Sequence, residues 1–331
     1  MALVAGVTAL AAAIGLSILL LGLQRVFASA PTLWDSNDRD ITDTSLSVVI
    51  PAFDEEKNIE GCLTHVLMSE RPCSRWDVIV VDDQSSDNTV KIAEEAIVTV
   101  AGADQPGATV LQAGPRPKGE RWVGKNWGCS QAMEQVNSEW VLFIDADVTL
   151  APDAIRRALH QSINENADLF SLAPRLTCGC LAEWMVQPIM ASLLGLGFPI
   201  LEANDPASTV AFAAGPFMLF RRDSYNAIGG HRALAGEVVE DLALARRIKE
   251  GGFRLRYVLG IDAVDLQMYP NLQALWEGWS KNWFLGLDRS ISKSLGAGGV
   301  VLLMFTLPWL LLPAGLTMAC LSSQDQILWL S

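Results

Sequence analysis

Histidine and paired cysteines are scarce in this sequence. The 331 residues include three histidines and six cysteines, which are scattered along the chain. No Cys-x-x-Cys pair occurs and no histidine lies at ligand spacing from a cysteine, so the sequence supports neither a zinc site nor a disulfide framework. We interpret Cys178 and Cys180 as ordinary thiols of a reducing compartment.

Two nucleotide-binding motifs are also absent, and so is an excess of basic residues. The first predicted strand, residues 46–50, is followed by Pro-Ala-Phe-Asp-Glu instead of the Gly-x-Gly-x-x-Gly turn of a dehydrogenase. The lack of a Walker A sequence counts against a P-loop nucleotide hydrolase. The formal charge of -13 argues against a basic stripe, so we expect no nucleic-acid partner.

Apolar residues, in contrast, are abundant. They make up 50% of the chain, the mean hydropathy is +0.27, and 18% of residues are charged, which predicts one globular domain plus membrane segments. We predict a retained transmembrane anchor at residues 1–24, because its long apolar run lacks the positive start of a signal peptide. A second transmembrane region is predicted at residues 294–331, with kinks at Pro308 and Pro313.

Positive residues flank both membrane segments on the side of the globular domain. Arg25 follows the first segment, and Lys281, Arg289 and Lys293 precede the second. Since Lys and Arg mark the cytoplasmic side of a membrane, we expect an integral membrane protein whose globular domain lies on the cytoplasmic face.

Strands alternate with helices after a polar linker at residues 25–44. The strands are predicted at residues 46–50, 76–81, 108–112 and 140–144. This alternation predicts an α/β domain with a Rossmann-like, mostly parallel sheet. We divide the domain into a first half at residues 45–180, a second half at residues 181–270 with an apolar interfacial segment, and an amphipathic interface helix at residues 271–293.

Acidic residues follow three of the predicted strands. Glu55 follows the first strand, Asp82 and Asp83 the second, and Asp145 and Asp147 the fourth. The carboxyl ends of parallel strands meet at one edge of a sheet, so we expect these side chains to face one crevice. A carboxylate pair there suits Mg²⁺ or Mn²⁺, which would in turn hold a diphosphate. For Asp-x-Asp taken alone, two solvated acids at a turn are the alternative.

Four motifs occur in an order that is similar to a known family. They are Val49-Ile-Pro-Ala-Phe-Asp-Glu55, Val81-Asp-Asp-Gln-Ser-Ser-Asp-Asn-Thr89, Lys125-Asn-Trp-Gly128 and Asp145-Ala-Asp147. Together they resemble the nucleotide-binding half of family 2 glycosyltransferases of the GT-A fold. Three later segments, Gly215-Pro-Phe-Met-Leu-Phe, Ile228-Gly-Gly230 and Val239-Glu240-Asp241, resemble the acceptor-side half.

The resemblance covers residues 45–287 and is nearest to the membrane-bound lipid glycosyltransferases. This branch includes hopene-associated and carotenoid glycosyltransferases and, more distantly, ceramide glucosyltransferase. The sequence departs from the family at Asp54, where Asn is usual, and at Gln84, where Gly is usual. The Gln-x-x-Arg-Trp signature of processive synthases is replaced by Gly278-Trp-Ser-Lys-Asn282, which argues against a processive polysaccharide synthase.

The resemblance implies a site for a nucleotide sugar, with a UDP-sugar expected. Four residues would shape the pocket around the base: Pro51, Ala52, Phe53 and Glu55. Asp82 or Asp83 would accept a hydrogen bond from the base. Asp145 would contact the ribose or the metal, and Asp147 would coordinate the Mg²⁺ or Mn²⁺ that bridges the phosphates. Lys125 would add positive charge toward the sugar phosphate, the alternative being a solvated lysine.

On the acceptor side, the resemblance implies that Asp241 is the general base, with Glu240 beside it in the catalytic pair. Asp241 would take the proton of an acceptor hydroxyl as that oxygen attacks opposite the diphosphate, which inverts the anomeric centre. No second carboxylate is needed as a covalent nucleophile. An acid-rich helix start without a catalytic role is the alternative.

Aromatic residues form a stripe on the predicted helix at 271–293. Trp276, Trp279, Trp283 and Leu287 share one face, with Lys281 opposite. We interpret the stripe as a membrane-interface anchor rather than core, and Trp279, Lys281 and Trp283 as acceptor or interface residues. The acceptor would then be a lipid of the bilayer, such as a hopanoid, a carotenoid or a ceramide-like lipid.

Two other functions stay open at this point. The first is a polysaccharide or polyprenyl-phosphate sugar synthase of the same class. The second is a non-catalytic, membrane-anchored scaffold that binds a nucleotide sugar, although the intact acids at 83, 145, 147 and 241 argue against it.

Overall fold

The structure is a computed structural model that describes residues 2–35, 42–100, 102, 105–287, 289–307, 310, 311 and 317. The chain divides into two compact units. The larger unit comprises residues 30–184 and 198–275, and the smaller comprises residues 1–29, 185–197 and 276–331.

Ten strands lie among the described residues of the larger unit. They are β1 (Thr42–Ala52), β2 (Cys73–Asp82), β3 (Gly107–Gln112), β4 (Trp140–Ile144), β5 (Val148–Leu150), β6 (Leu169–Ala173), β7 (Arg175–Leu176), β8 (Phe217–Arg221), β9 (Leu255–Leu259) and β10 (Val264–Leu266).

The α-helices of the described residues lie before, between and after these strands. They are α1 (Ala2–Ser29), α2 (Ile59–Leu67), α3 (Thr89–Val100), α4 (Gly124–Ala132), α5 (Ala154–Asn164), α6 (Leu181–Gly197), α7 (Ile200–Asn204), α8 (Arg222–Ala227), α9 (Glu240–Glu250), α10 (Leu272–Gly286) and α11 (Ile291–Val301). A 3₁₀ turn spans His231–Leu234, and a π-helical turn spans Leu302–Thr306.

The central sheet confirms the predicted α/β class. Its seven strands run in the order β3-β2-β1-β4-β8-β6-β9. The pairs within β3-β2-β1-β4 are parallel, whereas β8 is antiparallel to both of its neighbours. Because β2 and β4 lie on opposite sides of β1, the strand order reverses there, and a crevice is expected beyond the carboxyl ends of β1 and β4. A smaller sheet has the order β5-β10-β7.

Alternating side chains of the central strands fill two cores. On β4, Leu142 and Ile144 pack into one core, where they meet apolar residues of α2 and α5. Val141 and Phe143 point to the opposite core, which contains Trp127 of α4 and Leu244 of α9. All five residues of β4 are buried, so the strand is held on both faces and its carboxyl end is fixed in position.

Two predicted boundaries were wrong. The predicted linker at residues 25–44 overlaps the end of α1 at Ser29 and the start of β1 at Thr42. The apolar pattern of α1 continues through Val26 and Phe27, whereas the polar start of β1 is extended because Thr42 and Ser45 pair with β2. The single helix predicted at residues 271–293 is broken, because α10 ends at Gly286 and α11 begins at Ile291. Arg289 adopts a left-handed φ of 55°, and the hydroxyl of Ser290 accepts the Lys293 N–H as the cap of α11.

The smaller unit contains the predicted membrane segments. Among the described residues, the stretch Ala9–Ser29 is both long and apolar enough to cross a bilayer, and Ile291–Thr306 is apolar but shorter. The predicted kinks at Pro308 and Pro313 lie outside the described residues, as does most of the region 294–331.

Candidate active site

The Asp-x-Asp motif lies at the end of β4, as the sequence predicted. Asp145 and Asp147 belong to the turn between β4 and β5, and the Asp145 carbonyl accepts the Val148 N–H at 3.3 Å. Both side chains are partly buried. The rigid strand therefore presents two carboxylates at the edge of the sheet where a crevice was expected.

Lys125 joins this motif to the acceptor-side segment. Its Nζ lies 2.6 Å from Asp145 Oδ1 and 2.6 Å from Glu240 Oε1. Although burial works against the charge, these two carboxylates raise the pKa of Lys125 well above its ordinary value. The sequence placed this lysine near a sugar phosphate, whereas the structure shows its ammonium group between two acids from β4 and α9.

Asp147 has one unpaired carboxylate oxygen. Its Oδ1 is buried and accepts no hydrogen bond from the part of the chain that the structure describes. Burial, together with the neighbouring charges of Asp145 and Glu55, raises the pKa of Asp147 to about 7. Burial and Asp145 also raise the pKa of Glu55, whose carboxylate accepts the Asn58 side-chain amide at 2.7 Å. A cation at this position would relieve the repulsion among these carboxylates.

The residues around Asp147 fit a cation that is held only partly by protein. Among the residues that the structure describes, no group of three or more His, Cys, Asp or Glu side chains forms a ready metal cage. Mg²⁺ is commonly bound by one or two carboxylates together with substrate phosphates. The arrangement at Asp145 and Asp147 suits that mode of binding.

Asp82 and Asp83 end β2 and have different environments. The Asp82 carboxylate accepts the N–H groups of Gln84 at 3.1 Å and Ser85 at 3.2 Å, so it holds the turn. Asp83 is ion-paired through Oδ2 with Arg116, while its buried Oδ1 has no hydrogen-bond partner among the described residues. Of the two predicted base contacts, Asp83 therefore has the unpaired acceptor oxygen.

The segment after β1 lines the same edge of the sheet. Ala52 is buried, and its carbonyl accepts the Asp83 N–H at 3.0 Å, while Pro51 is partly buried. Phe53 is 56% exposed, so its ring is available at the rim of the crevice. The hydrogen bond of Ala52 joins the end of this segment to Asp83.

The two departures from the family pattern both lie in left-handed backbone, which explains the residue at Asp54 but not the one at Gln84. Asp54 and Gln84 adopt left-handed φ values of 53° and 66°. Asn and Gly, the usual residues at these positions, enter this region readily, and Asp is also tolerated there. The carboxylate of Asp54 accepts the Ser86 N–H at 2.7 Å, which holds the two loops together.

Asp241 lies in the first turn of α9 and is partly buried. Its Oδ2 accepts the Gly215 N–H at 3.2 Å, and its Oδ1 accepts the Leu242 N–H at 2.7 Å. Burial and the neighbouring Glu240 raise the pKa of Asp241 above its usual range. The N-cap is Val239, which makes no side-chain cap, so neither acid occupies the capping position itself.

Three site residues were missed by the sequence analysis. They are Arg116, which pairs with Asp83, and the glycines at 124 and 215. A Cβ on Gly124 would lie 2.2 Å from Asp83 Oδ2, and one on Gly215 would lie 3.2 Å from Asp241 Oδ2. Arg116 follows the end of β3, so the same strand-end reasoning could have found it.

The three predicted acceptor residues lie in the smaller unit. The Trp279 indole N–H donates to the Gln187 side-chain oxygen at 3.0 Å, and Trp283 is partly buried. Lys281 is exposed. Trp276, in the same stripe, is 71% exposed, so only part of the stripe packs against protein.

Removing the Lys125 ammonium should destabilise the fold. We expect Lys125→Met to lower the free energy of unfolding by about 2–4 kcal/mol, because Asp145 and Glu240 would remain partly buried without their counter-charge. Chemical denaturation measures this change. Adding Glu240→Gln to Lys125→Met should recover part of the loss, because one of the two stranded charges is then removed.

The control for this prediction is an exposed pair. Lys91 Nζ lies 3.8 Å from Glu95 Oε1 on the surface of α3. Lys91→Met should lower the free energy of unfolding by less than about 0.5 kcal/mol. If Lys125→Met were as mild as Lys91→Met, the Lys125 bridge would contribute nothing to stability.

The chain is similar in sequence to a protein family and to named relatives. The family described as Glycosyl transferase family 2 matches residues 47–229. Two proteins named 4,4'-diaponeurosporenoate glycosyltransferase, from Staphylococcus aureus strains bovine RF122 / ET3-1 and USA300, are 29% and 28% identical over 264 residues. The alignments cover 79% of this chain and 66% of each relative, so the chain spans just under two thirds of their length.

A solved structure shares the fold over most of both chains. It is described as mannosyltransferase PcManGT from Pyrobaculum calidifontis in complex with GDP-Man and Mn²⁺. The two structures superpose with a TM-score of 0.58 at 19% sequence identity, and the match covers 99% of this chain and 92% of the other. At this identity the likeness concerns the fold, and it confirms the expected GT-A architecture.

Proposed function

Because this chain belongs to glycosyl transferase family 2, we propose that it transfers a sugar from a nucleotide-sugar donor to a hydroxyl group of a membrane lipid. One observation carries the proposal. Asp145, just after β4, and Glu240, at the start of α9, are distant in the sequence and converge on Lys125. Asp147 lies two residues after Asp145, and Asp241 lies one residue after Glu240. Such convergence brings a donor-binding end and a proton-accepting end to one site.

The donor diphosphate would bind beside Asp147. Asp147, with Asp145 next to it, would hold Mg²⁺ or Mn²⁺ together with the phosphate oxygens. When bound, the cation supplies Lewis acidity and charge neutralisation to the departing diphosphate. The Mn²⁺ and GDP-Man named for PcManGT are consistent with a donor of this class. Through its ion pair with Asp145, Lys125 would hold the Asp145 carboxylate in place.

The base of the donor would contact Asp83. Arg116 pairs with Oδ2, and the buried Oδ1 is unpaired among the described residues, so we assign Oδ1 as the acceptor for the base. Uracil offers one ring N–H, whereas guanine offers a ring N–H and an amino group side by side. A single open oxygen therefore favours a UDP-sugar as the donor.

This preference can be measured by calorimetric titration with nucleotides. We expect UDP to bind at least about tenfold more tightly than GDP, because guanine leaves one donor unpaired in the pocket. Gly124→Ala should weaken UDP binding, because the added Cβ overlaps the buried Asp83 carboxylate. Gly286→Ala is a suitable control, since a Cβ on Gly286 meets nothing within 4 Å. Equal affinities for UDP and GDP would contradict the assignment of the base.

Asp241 would act as the general base. The N–H groups of Gly215 and Leu242 hold its two oxygens, which orients the carboxylate. Its raised pKa suits a group that takes a proton from an alcohol near neutral pH. As the acceptor oxygen bonds to the anomeric carbon, the bond to the diphosphate breaks and the proton passes to Asp241. This single displacement inverts the anomeric centre.

The acceptor would be a lipid of the bilayer. The curated relatives are named for glycosylation of 4,4'-diaponeurosporenoate, a carotenoid. The apolar helix α1 and the exposed Trp276 support membrane association of this chain. We propose that the chain is an integral membrane protein whose catalytic domain faces the cytoplasm, with Trp279, Lys281 and Trp283 at the membrane interface.

Lipid profiling by mass spectrometry tests the proposal. Cells that produce the chain should contain a lipid heavier by one hexose than the lipid of cells that lack it. A polymer or a charged polyprenyl phosphodiester would instead indicate the synthase function. Nucleotide binding with no glycosylated product would indicate the non-catalytic scaffold.

A further inference from the structure

Asn126 is a fully buried polar residue in the first turn of α4. Its side-chain amide N–H₂ donates to the Leu234 carbonyl at 2.6 Å and to the Glu237 carbonyl at 2.8 Å. The backbone N–H of Val123 adds a hydrogen bond to the Ala235 carbonyl at 2.7 Å. Three hydrogen bonds thus attach the start of α4 to residues 234–237.

Residues 234–237 lead directly into the start of α9. Glu240 and Asp241 follow within four residues of Glu237. The same first turn of α4 carries Gly124, which lies against Asp83, and Lys125, which pairs with Asp145. The start of α4 therefore touches the proposed base site, the Asp-x-Asp motif and the segment that positions Asp241.

The amide of Asn126 is only half satisfied. Its Oδ1 is buried and has no hydrogen-bond partner among the residues that the structure describes. Leaving a buried polar atom unpaired is unfavourable, and an apolar side chain of similar size would avoid that penalty. The two N–H donors are therefore the part of the side chain that an apolar residue could not replace.

We propose that Asn126 is a positioning residue for the acceptor side of the site. Its two hydrogen bonds fix residues 234–237 and, through them, the Asp241 carboxylate relative to the donor held at Asp83 and Asp147. This inference rests on the proposed function. A displacement of the reacting groups by about 1 Å can cost about 10²-fold in rate, so the effect on turnover should be large.

Kinetics of Asn126→Asp test the proposal, because Asp has the same shape but no N–H donors. We expect kcat to fall about 10–100-fold while the KM for the donor and the affinity for UDP change less than about twofold. Asn126→Ser keeps one hydrogen-bond donor, so its kcat should lie between those of the wild-type chain and Asn126→Asp. The matched control is Asn137→Asp, since exposed Asn137 also donates to a backbone carbonyl, that of Gln135.

Two outcomes of the kinetics would overturn the proposal. One is a kcat of Asn126→Asp equal to that of Asn137→Asp. The other is an equal loss of kcat and UDP affinity, which would indicate general disruption of the fold. If Asn126→Asp does not fold, Asn126→Ser provides the same comparison of kcat with UDP affinity.

Hydrogen exchange separates this proposal from the proposed function. Peptides covering residues 234–242 should exchange faster in Asn126→Asp than in the wild-type chain, with β1 and β2 unchanged. Unchanged exchange at 234–242 would overturn the positioning role. If the wild-type chain transfers no sugar, the proposed function fails, and the exchange result alone decides whether Asn126 fixes this segment.

Discussion

Replacing Asp241 with Asn should lower kcat about 10²–10⁴-fold and leave the affinity for UDP unchanged. The amide cannot take a proton from the acceptor hydroxyl. It can accept only one of the two backbone N–H groups, from Gly215 and Leu242, that orient the carboxylate. Initial rates of sugar transfer into lipid, measured beside UDP titrations, separate the loss of chemistry from a loss of donor binding.

Asp223→Asn is the matched control for this prediction. Asp223 also lies in the first turn of a helix, α8, but its side chain is exposed. Both variants replace a carboxylate in the first turn of a helix by a neutral amide of the same shape. Only Asp241→Asn should lose turnover, and equal kcat values for the two variants would remove Asp241 from the mechanism.

The pH dependence of kcat should follow from the same residue. Burial and Glu240 raise the pKa of Asp241, so its carboxyl group takes up a proton at a higher pH than an exposed aspartate would. A general base works only when deprotonated. Between about pH 5 and about pH 9, kcat should therefore rise with pH and then level off above the raised pKa. Asp241→Asn should remove this dependence.

Replacing Asp147 with Asn should lower kcat about 10²–10³-fold. The variant removes the carboxylate that we assign to the cation, so the diphosphate would depart without neutralisation of its charge. Rates measured over a series of Mn²⁺ concentrations should show weaker activation by the cation. Asp153→Asn, just before α5, is a control that should leave these rates unchanged, because the Asp153 carboxylate pairs with Arg157 at 3.6 Å.

Asp147→Asn should also make the metal-free protein more stable. Since the folded-state pKa of Asp147 is raised to about 7, the charged form opposes folding above that pH. Asn stays neutral, so the gain should reach about 1–3 kcal/mol above pH 7 and disappear below about pH 4. Thermal unfolding without metal measures the gain. A decrease in stability would show that the carboxylate has a structural role.

The sequence predicted those parts of the site that follow from strand topology. Asp83, Asp145 and Asp147 end parallel strands, and parallel strands bring their carboxyl ends to one edge whatever their separation in the chain. The acid-rich start of α9 was likewise predicted from its pattern. What remained unpredicted was the pairing of Lys125, because a lysine side chain can reach several acids and only the packed backbone selects among them.

Local conformation accounts for the other differences. The break between α10 and α11 depends on one left-handed residue, Arg289, which the helical pattern of the sequence does not reveal. Asp82 holds the turn because it accepts backbone N–H groups, and Asp83 differs because one of its oxygens pairs with the Arg116 side chain; composition locates neither partner. Neighbouring acids with similar sequence contexts therefore have different roles in the structure.

Nucleotide-dependent binding of Mn²⁺, followed by electron paramagnetic resonance, tests the shared cation and diphosphate site most directly. The wild-type chain should bind Mn²⁺ weakly alone and at least about tenfold more tightly with UDP, because phosphate oxygens complete the coordination. Asp147→Asn should lose that enhancement. Tight Mn²⁺ binding without UDP, or an enhancement that survives in Asp147→Asn, would contradict a site built from Asp147 and the donor diphosphate.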